Sequence, residues 1–222
     1  MTHDGPSRRA ALVGLAAGAA ALAWPRSAVA GAQVEEPLAD AVRTALSAAI
    51  ASSAPPPELR FDNTDAHIVY LRWLFTMSDR LKKRKTETRE RVEFLQTLWY
   101  ESHRAGLEPA LVLGLVQVES GFRKYAISVS GARGYMQVMP FWARQIGDGD
   151  AARLFVMQTN LRFGCVILRH YLDVEQGDQF MALGRYNGSR GQAPYPDAVL
   201  GARKQWLMPE PAKPVAAIPA PR

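Results

Sequence analysis

The segment Leu107–Ser120 is the part of the sequence that most restricts the fold. Its letters, LEPALVLGLVQVES, predict a helix with Pro109 in the first turn and apolar residues on nearly every side. A helix that is apolar all round its axis has to be buried among other elements. We therefore expect it inside the domain. Glu119 stands where the apolar run ends, and a carboxylate there is costly unless it is paired, solvated or used.

The rest of the chain follows the period of helices rather than of strands. Apolar residues recur at helical spacing in several further segments, with no internal repeat and no long alternating pattern. In one of these segments, residues 62–85, the apolar residues at this spacing are Ile68, Leu71, Leu74, Phe75 and Met77. We predict a mainly α protein whose other helices lie within residues 38–53, 62–85, 86–106, 141–147, 159–173, 178–187 and 195–207.

Residues 1–30 have the order of a secretory signal. The pair Arg8-Arg9 precedes an Ala/Leu-rich stretch over residues 10–24, and the AVA motif that ends at Ala30 resembles a cleavage site. The arginine pair resembles a twin-arginine export signal, with ordinary secretion as the alternative. An uncleaved membrane anchor would need ~18 or more apolar residues, so we expect cleavage near Ala30 and a periplasmic location.

The charge balance favours an anionic partner. The chain has 27 Lys and Arg against 21 Asp and Glu, and loss of residues 1–30, which hold three Arg and one Asp, lowers the net charge from +6 to +4. An exported protein meets anionic wall polymer before nucleic acid. We interpret the basic run LKKRK, residues 81–85, as a solvated face, with contact to an anionic polymer as the alternative. The single cysteine, Cys165, lies among apolar residues, which favours a buried, inert thiol.

Glu119 admits two interpretations. As an ordinary helix-end carboxylate it would point into water or pair with Arg123, four residues further on. Against apolar side chains, burial would raise its pKa and leave it protonated near neutral pH, able to donate a proton. The following residues, 121–140, are rich in glycine and serine and predict a loop that could bring N–H groups and hydroxyls close to a polysaccharide.

A series of separated motifs favours the second interpretation. In order, the chain carries Glu119-Ser120-Gly121-Phe122, then Ser128, then GARGYMQVMP at residues 131–140, then Asn160 with Gly164, and finally Tyr186-Asn187-Gly188. Over residues 107–207 this order and spacing resemble the soluble lytic transglycosylase family. The resemblance implies a goose-type-lysozyme-like helical catalytic domain, and residues 31–106 have no such support.

The resemblance also implies roles for single residues. Glu119 matches the family's one catalytic glutamate. Five further residues match positions beside that acid or along the sugar groove: Ser128 near the acid, Gln137 and Met139 in the groove, and Tyr186 with its companion Asn187 next to the catalytic site. Asn160 matches the asparagine that opens the following helix, and we interpret its side chain as a helix cap.

Two positions depart from the family pattern. Lys124 stands shortly after the Glu-Ser pair, where proline is usual, and Arg185 stands before the Tyr-Asn pair, where alanine is usual. Both changes affect the shape or the charge of a loop. Neither removes a group that transfers protons.

The activity that the resemblance implies is cleavage of the β-1,4 bond between N-acetylmuramic acid and N-acetylglucosamine in peptidoglycan, with Glu119 as acid and then base and a 1,6-anhydro product. A hydrolytic muramidase is one alternative, although it usually needs a second carboxylate and none is embedded in the motifs. An inactive wall-binding module is another. Asp148 and Asp150 predict a turn rather than a calcium loop. No residue set has the spacing of a metal site, so we expect neither metal nor cofactor.

The sequence predicts four regions. They are a signal peptide over residues 1–30, a helical region over 31–106 with a proline linker near 55–57, a catalytic domain over 107–207, and a disordered Pro/Ala-rich tail over 208–222. We expect a monomer that binds peptidoglycan strands and not nucleic acid. Residues 38–106 either pack on the catalytic domain or recruit a cell-envelope protein.

Overall fold

The computed structural model describes residues 33, 35–51 and 59–209, and its regular elements are helices. In this part of the chain, pairing of strand type is confined to isolated bridges within residues 127–138. The prediction of a mainly α protein is confirmed. The predicted signal peptide, the proline linker and most of the predicted tail lie outside the described residues. The elements are α1 Asp40–Ile50, α2 Thr64–Leu81, α3 Thr88–Arg104, α4 Pro109–Glu119, α5 Pro140–Ile146, a 3₁₀ helix Ala151–Phe155, α6 Met157–Val174, α7 Gln179–Asn187 and α8 Pro194–Lys204.

Local sequence explains where several of these helices begin. The side chain of Asn63 accepts a hydrogen bond from the Ala66 N–H at 2.8 Å and so caps α2. Asp178 caps α7 in the same way, with the Met181 N–H at 3.0 Å. Proline suits the first helical position because the N–H it lacks would have no partner there. It begins three helices, α4, α5 and α8.

α4 is buried along almost its whole length, as its apolar sequence predicts. It packs most extensively against α8 and also contacts α3. Contacts of Glu108 with Arg203 at one end and of Glu119 with Tyr195 at the other mean that α4 and α8 run antiparallel. A Cβ on Gly114 would lie 2.7 Å from the Arg203 backbone nitrogen, so only glycine allows this close approach. The α8 contact therefore fixes where the end of α4 lies.

α6 is the second extensively buried helix and lies against α1, α3 and α7. The Cys165 thiol is fully buried on it, which confirms that prediction, and burial raises its pKa well above the ordinary range. Arg162 on α6 forms a buried ion pair with Glu101 on α3, at 2.7 Å between Nη2 and Oε1. Since each side chain satisfies the charge of the other, two ionised groups can lie between the helices.

The buried face of α2 differs from the one that apolar spacing suggests. The helix buries Tyr70, Trp73, Met77 and Leu81, and Phe75 is 78% exposed. The buried aromatic rings pack on Trp99 of α3, with centroid distances of 5.2 Å from Tyr70 and 4.6 Å from Trp73. Large aromatic rings bury more area than aliphatic side chains. The face that fits α3 therefore includes Tyr70 and Trp73. Ile68, Leu71 and Phe75 remain outside.

The basic run at residues 81–85 is only partly solvated. Residues 82–84 are exposed, in line with the interpretation as a solvated face. Lys85 is buried: its Nζ donates to Glu90 at 2.7 Å and to the Tyr135 hydroxyl at 3.0 Å, and lies 5.6 Å from the centre of the Phe94 ring. The interpretation is therefore wrong for this lysine. A nearby carboxylate and aromatic faces compensate its loss of hydration.

The apolar core is continuous across residues 106–107, where the sequence predicts a domain boundary. α3 contacts both α4 and α6, and buried residues of α1, α2 and α3 belong to the same cluster as those of the later helices. The first helices thus pack on the part of the chain that carries the motifs. Among the described helices, none is both long and apolar enough to cross a membrane.

Candidate active site

Glu119 is the last residue of α4, and only 6% of its surface is exposed. The hydroxyl of the next residue, Ser120, donates to the carbonyls of Val116 at 3.2 Å and Tyr135 at 2.7 Å. These bonds tie the end of α4 to the loop after it. Arg123 does not pair with Glu119 in the way that the surface interpretation requires, because its Nε donates to the Ser120 carbonyl at 2.9 Å.

The partner of Glu119 is Tyr195, the second residue of α8. The Tyr195 hydroxyl donates a hydrogen bond to Oε1 of Glu119 at 2.5 Å, and both side chains are buried. The second carboxyl oxygen, Oε2, is buried and has no hydrogen-bond partner among the described residues. One oxygen of the carboxyl group is thus held by a hydrogen bond, and the other has no partner among the described residues.

Burial raises the pKa of Glu119 from an ordinary 4.5 to about 8, and the hydrogen bond from Tyr195 opposes this rise. Removal of water destabilises the ionised form, whereas a donated hydrogen bond stabilises it. A carboxyl group with this pKa is mostly protonated at neutral pH. It can therefore give a proton to a leaving group and afterwards, as a carboxylate, take one up.

The loop over residues 126–139 is held by its own polar groups. Ser128 Oγ accepts from the Ala132 N–H at 3.0 Å, and the two residues also share a backbone hydrogen bond. Gln137, which is buried with φ at +48°, donates from its amide to the carbonyls of Ala126 at 3.1 Å and Gly134 at 3.0 Å. Such a backbone conformation is unfavourable for a residue other than glycine, and these two bonds offset its cost.

Asn160 supports the same loop, and its interpretation as a helix cap is wrong. α6 begins three residues earlier, after Val156. Its side-chain oxygen accepts from the Met136 N–H at 2.8 Å, and its nitrogen donates to the carbonyls of Arg133 at 2.7 Å and Leu154 at 2.8 Å. The side chain of this asparagine therefore bonds to backbone groups outside its own helix. From the sequence alone, an asparagine with this role looks the same as one that caps a helix.

Gly134 is required beside Asn160. Its φ is +76°, and an added Cβ would lie 2.7 Å from the Leu154 carbonyl oxygen. A left-handed conformation and close neighbours together exclude a side chain there. The second glycine of the GARGYMQVMP motif is thus required by the structure.

Tyr186 and Asn187 lie at the end of α7. The buried Tyr186 hydroxyl donates to the Met136 carbonyl at 2.8 Å. Burial raises the pKa of Tyr186, and the negative charge of Glu119 adds to the rise. Asn187 donates to the Ser189 hydroxyl at 3.0 Å, and its buried oxygen has no partner among the described residues.

Three of the predicted site residues bond to the backbone of the 126–139 loop. They are Ser128, Gln137 and Tyr186. Met139 is half-buried immediately before α5. Tyr195 is the residue that the sequence did not reveal, because nothing in its own segment distinguishes it from other tyrosines at a helix start. Its contact depends on the antiparallel packing of α4 and α8.

Asp148 and Asp150 form a turn, as predicted. Asp148 Oδ1 accepts from the Asp150 N–H at 3.0 Å, Asp150 Oδ1 accepts from the Ala152 N–H at 2.8 Å, and Asp148 also pairs with Arg153. The two carboxylates are thus engaged by the backbone and by a cation. Across the described ranges, no group of three or more His, Cys, Asp or Glu residues could hold a metal ion.

Comparison with known proteins finds one matching family model. Residues 98–207 match the model of the transglycosylase SLT domain. A transglycosylase of Enterobacteria phage PRD1 is 35% identical over 102 residues, which cover 46% of this chain and 37% of that protein. The membrane-bound lytic murein transglycosylase C of Actinobacillus pleuropneumoniae serotype 5b is 38% identical over 84 residues, or 34% of this chain and 23% of that protein.

The chain therefore spans well under half the length of these curated relatives. Among solved structures, an inactive mutant of the lytic transglycosylase Slt from Pseudomonas aeruginosa is similar with a TM-score of 0.41 and 21% identity. That similarity covers 63% of this chain and 27% of the Slt chain.

Proposed function

We propose that this chain is a peptidoglycan lytic transglycosylase of the transglycosylase SLT domain family, whose model residues 98–207 match, with Glu119 as its catalytic acid. The observation that carries this proposal is the state of Glu119, a buried carboxyl group with one oxygen held by Tyr195 and a pKa raised to about 8. An exposed carboxyl group would already be ionised at neutral pH and could not supply the proton.

The proposed reaction uses one carboxyl group and no water. Glu119 gives its proton to the glycosidic oxygen while the bond between that oxygen and C1 of N-acetylmuramic acid breaks. The acetamido oxygen of the same sugar stabilises the positive charge at C1. The Glu119 carboxylate then removes the proton of the C6 hydroxyl, whose oxygen forms a new bond to C1. The products are a 1,6-anhydro end and a free hydroxyl, and the proton is back on Glu119.

Tyr195 has a positioning role in this scheme. Its hydrogen bond to Oε1 orients the carboxyl group and leaves Oε2 without a partner among the described residues. The same bond stabilises the carboxylate that forms after the first proton transfer, because a hydroxyl donor favours the charged form. A catalytic acid that must also act as a base benefits from a pKa near the working pH.

The remaining predicted site residues are proposed to bind or enclose the sugar chain. They are Ser128, Gln137, Met139, Tyr186 and Asn187. For Gln137 and Tyr186 the contacts support shaping of the 126–139 loop, since their polar atoms bond to backbone carbonyls of that loop. The signal-like residues 1–30 support action in the periplasm, where peptidoglycan lies.

The product distinguishes this reaction from its nearest alternative. Purified sacculi are digested with the protein, and the soluble fragments are analysed by mass spectrometry. A lytic transglycosylase yields fragments with 1,6-anhydromuramic acid ends, each lighter by one water than the hydrolytic product. A parallel digestion with the Glu119→Gln variant identifies fragments that arise from contaminating enzymes.

Each other outcome contradicts the proposal in its own way. Fragments that carry only reducing muramic acid would mean a hydrolytic muramidase. Retention of the protein on sacculi without any release of fragments would mean a wall-binding module that lacks turnover.

A further inference from the structure

Glu175, immediately after α6, joins two arginines from the region before α8. Arg190 donates to both of its carboxyl oxygens, from Nε to Oε1 at 2.7 Å and from Nη2 to Oε2 at 2.9 Å, and Arg185 donates to Oε1 as well. The Glu175 side chain is 8% exposed. Hydrogen bonds from Arg190 and Arg185 lower its pKa to about 2. Two parallel hydrogen bonds from one arginine to one carboxylate fix the geometry of an ion pair as well as strengthen it.

Arg190 belongs to the short loop that connects α7 to α8. The loop lies tightly on α7: the Ser189 N–H donates to the Gly184 carbonyl at 2.7 Å, and a Cβ on Gly184 would lie 2.9 Å from the Arg190 Cα. Gly191, with φ at +78°, then turns the chain towards α8. The bond between Arg190 and Glu175 therefore fixes the loop against the end of α6.

α8 starts four residues after Arg190, and its second residue is Tyr195, the hydrogen-bond donor to Glu119. The packing of Gly114 on α8 fixes that helix further along, near Val199 and Arg203. The first turn of α8, which carries Tyr195, depends in addition on the loop that leads into it.

We propose that Glu175, Arg185 and Arg190 form a clamp that positions Tyr195 against Glu119. Arg185 is the departure from the family pattern before the Tyr-Asn pair, so the clamp gives this residue a role that alanine could not fill. The clamp's link to activity rests on the proposed function, whereas its effect on Glu119 can be measured without any reaction.

The groups that act on Glu119 determine how its pKa would change if the clamp were lost. Tyr195 of α8 donates to it, and the charge of Glu119 raises the pKa of Tyr186 on α7. Within the described part of the chain, neither a cation nor a second carboxylate contributes to the pKa of Glu119. Loss of the Tyr195 hydrogen bond therefore leaves burial alone to act, and the pKa of Glu119 should rise.

The test is an NMR titration of the Glu119 side-chain carbon in the whole protein and its variants. Glu175→Gln is expected to raise the pKa of Glu119 by about 0.5 to 1, the size expected for one hydrogen bond. Tyr195→Phe should raise it by a similar amount, and the double variant should show little further change, because both substitutions remove the same bond. Glu175→Asp keeps the charge, so the pKa of Glu119 in this variant should lie between those of the wild type and of Glu175→Gln.

The matched control is Asp173→Asn on the same helix, which breaks the exposed pair with Arg169 and should leave the pKa of Glu119 unchanged. Arg190→Met, at an exposed position, serves if Glu175→Gln does not fold. The proposal is overturned if Tyr195→Phe shifts the titration and the clamp variants do not, or if the two effects add fully. A shifted titration in a protein that never cleaves peptidoglycan would leave the clamp intact and refute only the proposed function.

Discussion

The α3–α6 contact and the end of α4 each bury a glutamate, with opposite consequences. Glu101 on α3 is 1% exposed, and Arg162 donates to both of its oxygens at 2.7–3.2 Å. Glu119 on α4 is 6% exposed, and its hydrogen bond in the described structure comes from the neutral hydroxyl of Tyr195. The two carboxyl groups are thus similarly buried, but one has a cation as its partner and the other has a phenol.

The difference shows that the partner, more than the burial, decides what a buried acid can do. A cation compensates the lost hydration of a carboxylate, and the Arg162–Glu101 pair joins two helices. A hydroxyl compensates it only in part, and the carboxyl group keeps its proton to a higher pH. The first arrangement contributes to the fold, and the second can transfer a proton.

The largest expected effect is on turnover. Glu119→Gln should lower the release of soluble fragments from peptidoglycan by about 100-fold or more, because an amide cannot give up the proton that the acid supplies. The amide oxygen can still accept from Tyr195, so circular dichroism should be unchanged. Glu93→Gln, at an exposed position of α3, is the control and should turn over normally. Near-wild-type release by the Glu119 variant would remove this residue from the mechanism.

The matching change at the other glutamate should act on stability. Glu101→Gln leaves the Arg162 guanidinium buried without its counter-charge, and we expect a loss of about 3–5 kcal/mol in the free energy of unfolding, measured in urea. Asp173→Asn, which breaks an exposed ion pair, should cost less than about 1 kcal/mol. If the two variants were equally stable, the buried pair would not have the role assigned to it.

The stability of the fold should depend on pH through Glu119. The pKa of Glu119 is higher in the folded protein, about 8, than its ordinary 4.5. Folding therefore favours the protonated form, and the contribution of this group to stability is full below about pH 4.5 and is lost as pH rises towards about 8. Glu119→Gln lacks this loss. Relative to wild type, the variant should gain roughly 2–4 kcal/mol of unfolding free energy between about pH 5 and about pH 9.

Urea unfolding of both proteins at several pH values measures that difference, in which all other titrating groups cancel. A difference that stays constant with pH would mean that Glu119 is ionised in the folded state.

The smallest expected effect is the loss of stability when the buried amide of Asn160 is removed. Asn160→Ala removes the side-chain partner of the Met136 N–H and of the Leu154 carbonyl, whereas the Arg133 carbonyl still accepts from the Val138 N–H at 3.0 Å. The loss should be about 1–3 kcal/mol. Asn187→Ala should cost less, since its oxygen has no partner in the described structure and its nitrogen reaches only Ser189. Thermal unfolding of the two variants compares them directly, and the reverse order would contradict this account.

The sequence by itself determined the helical fold and the candidate acid. Helical periodicity is a local signal, and the helices form in the segments where it predicts them. The burial of α4 followed from its apolar sequence alone. Glu119 stood out because a charge at the end of such a helix has few uses, and the motifs after it named one.

Only the tertiary structure decided the partners. Tyr195 reaches Glu119 because α4 and α8 pack antiparallel. Buried Lys85 donates hydrogen bonds to Glu90 and Tyr135. The face that α2 buries is the one that fits the rings of α3. Periodicity and capping depend on neighbours a few residues away, which the sequence displays. Burial, charge compensation and hence the protonation of Glu119 depend on segments far apart in the chain, which meet only after the helices have packed.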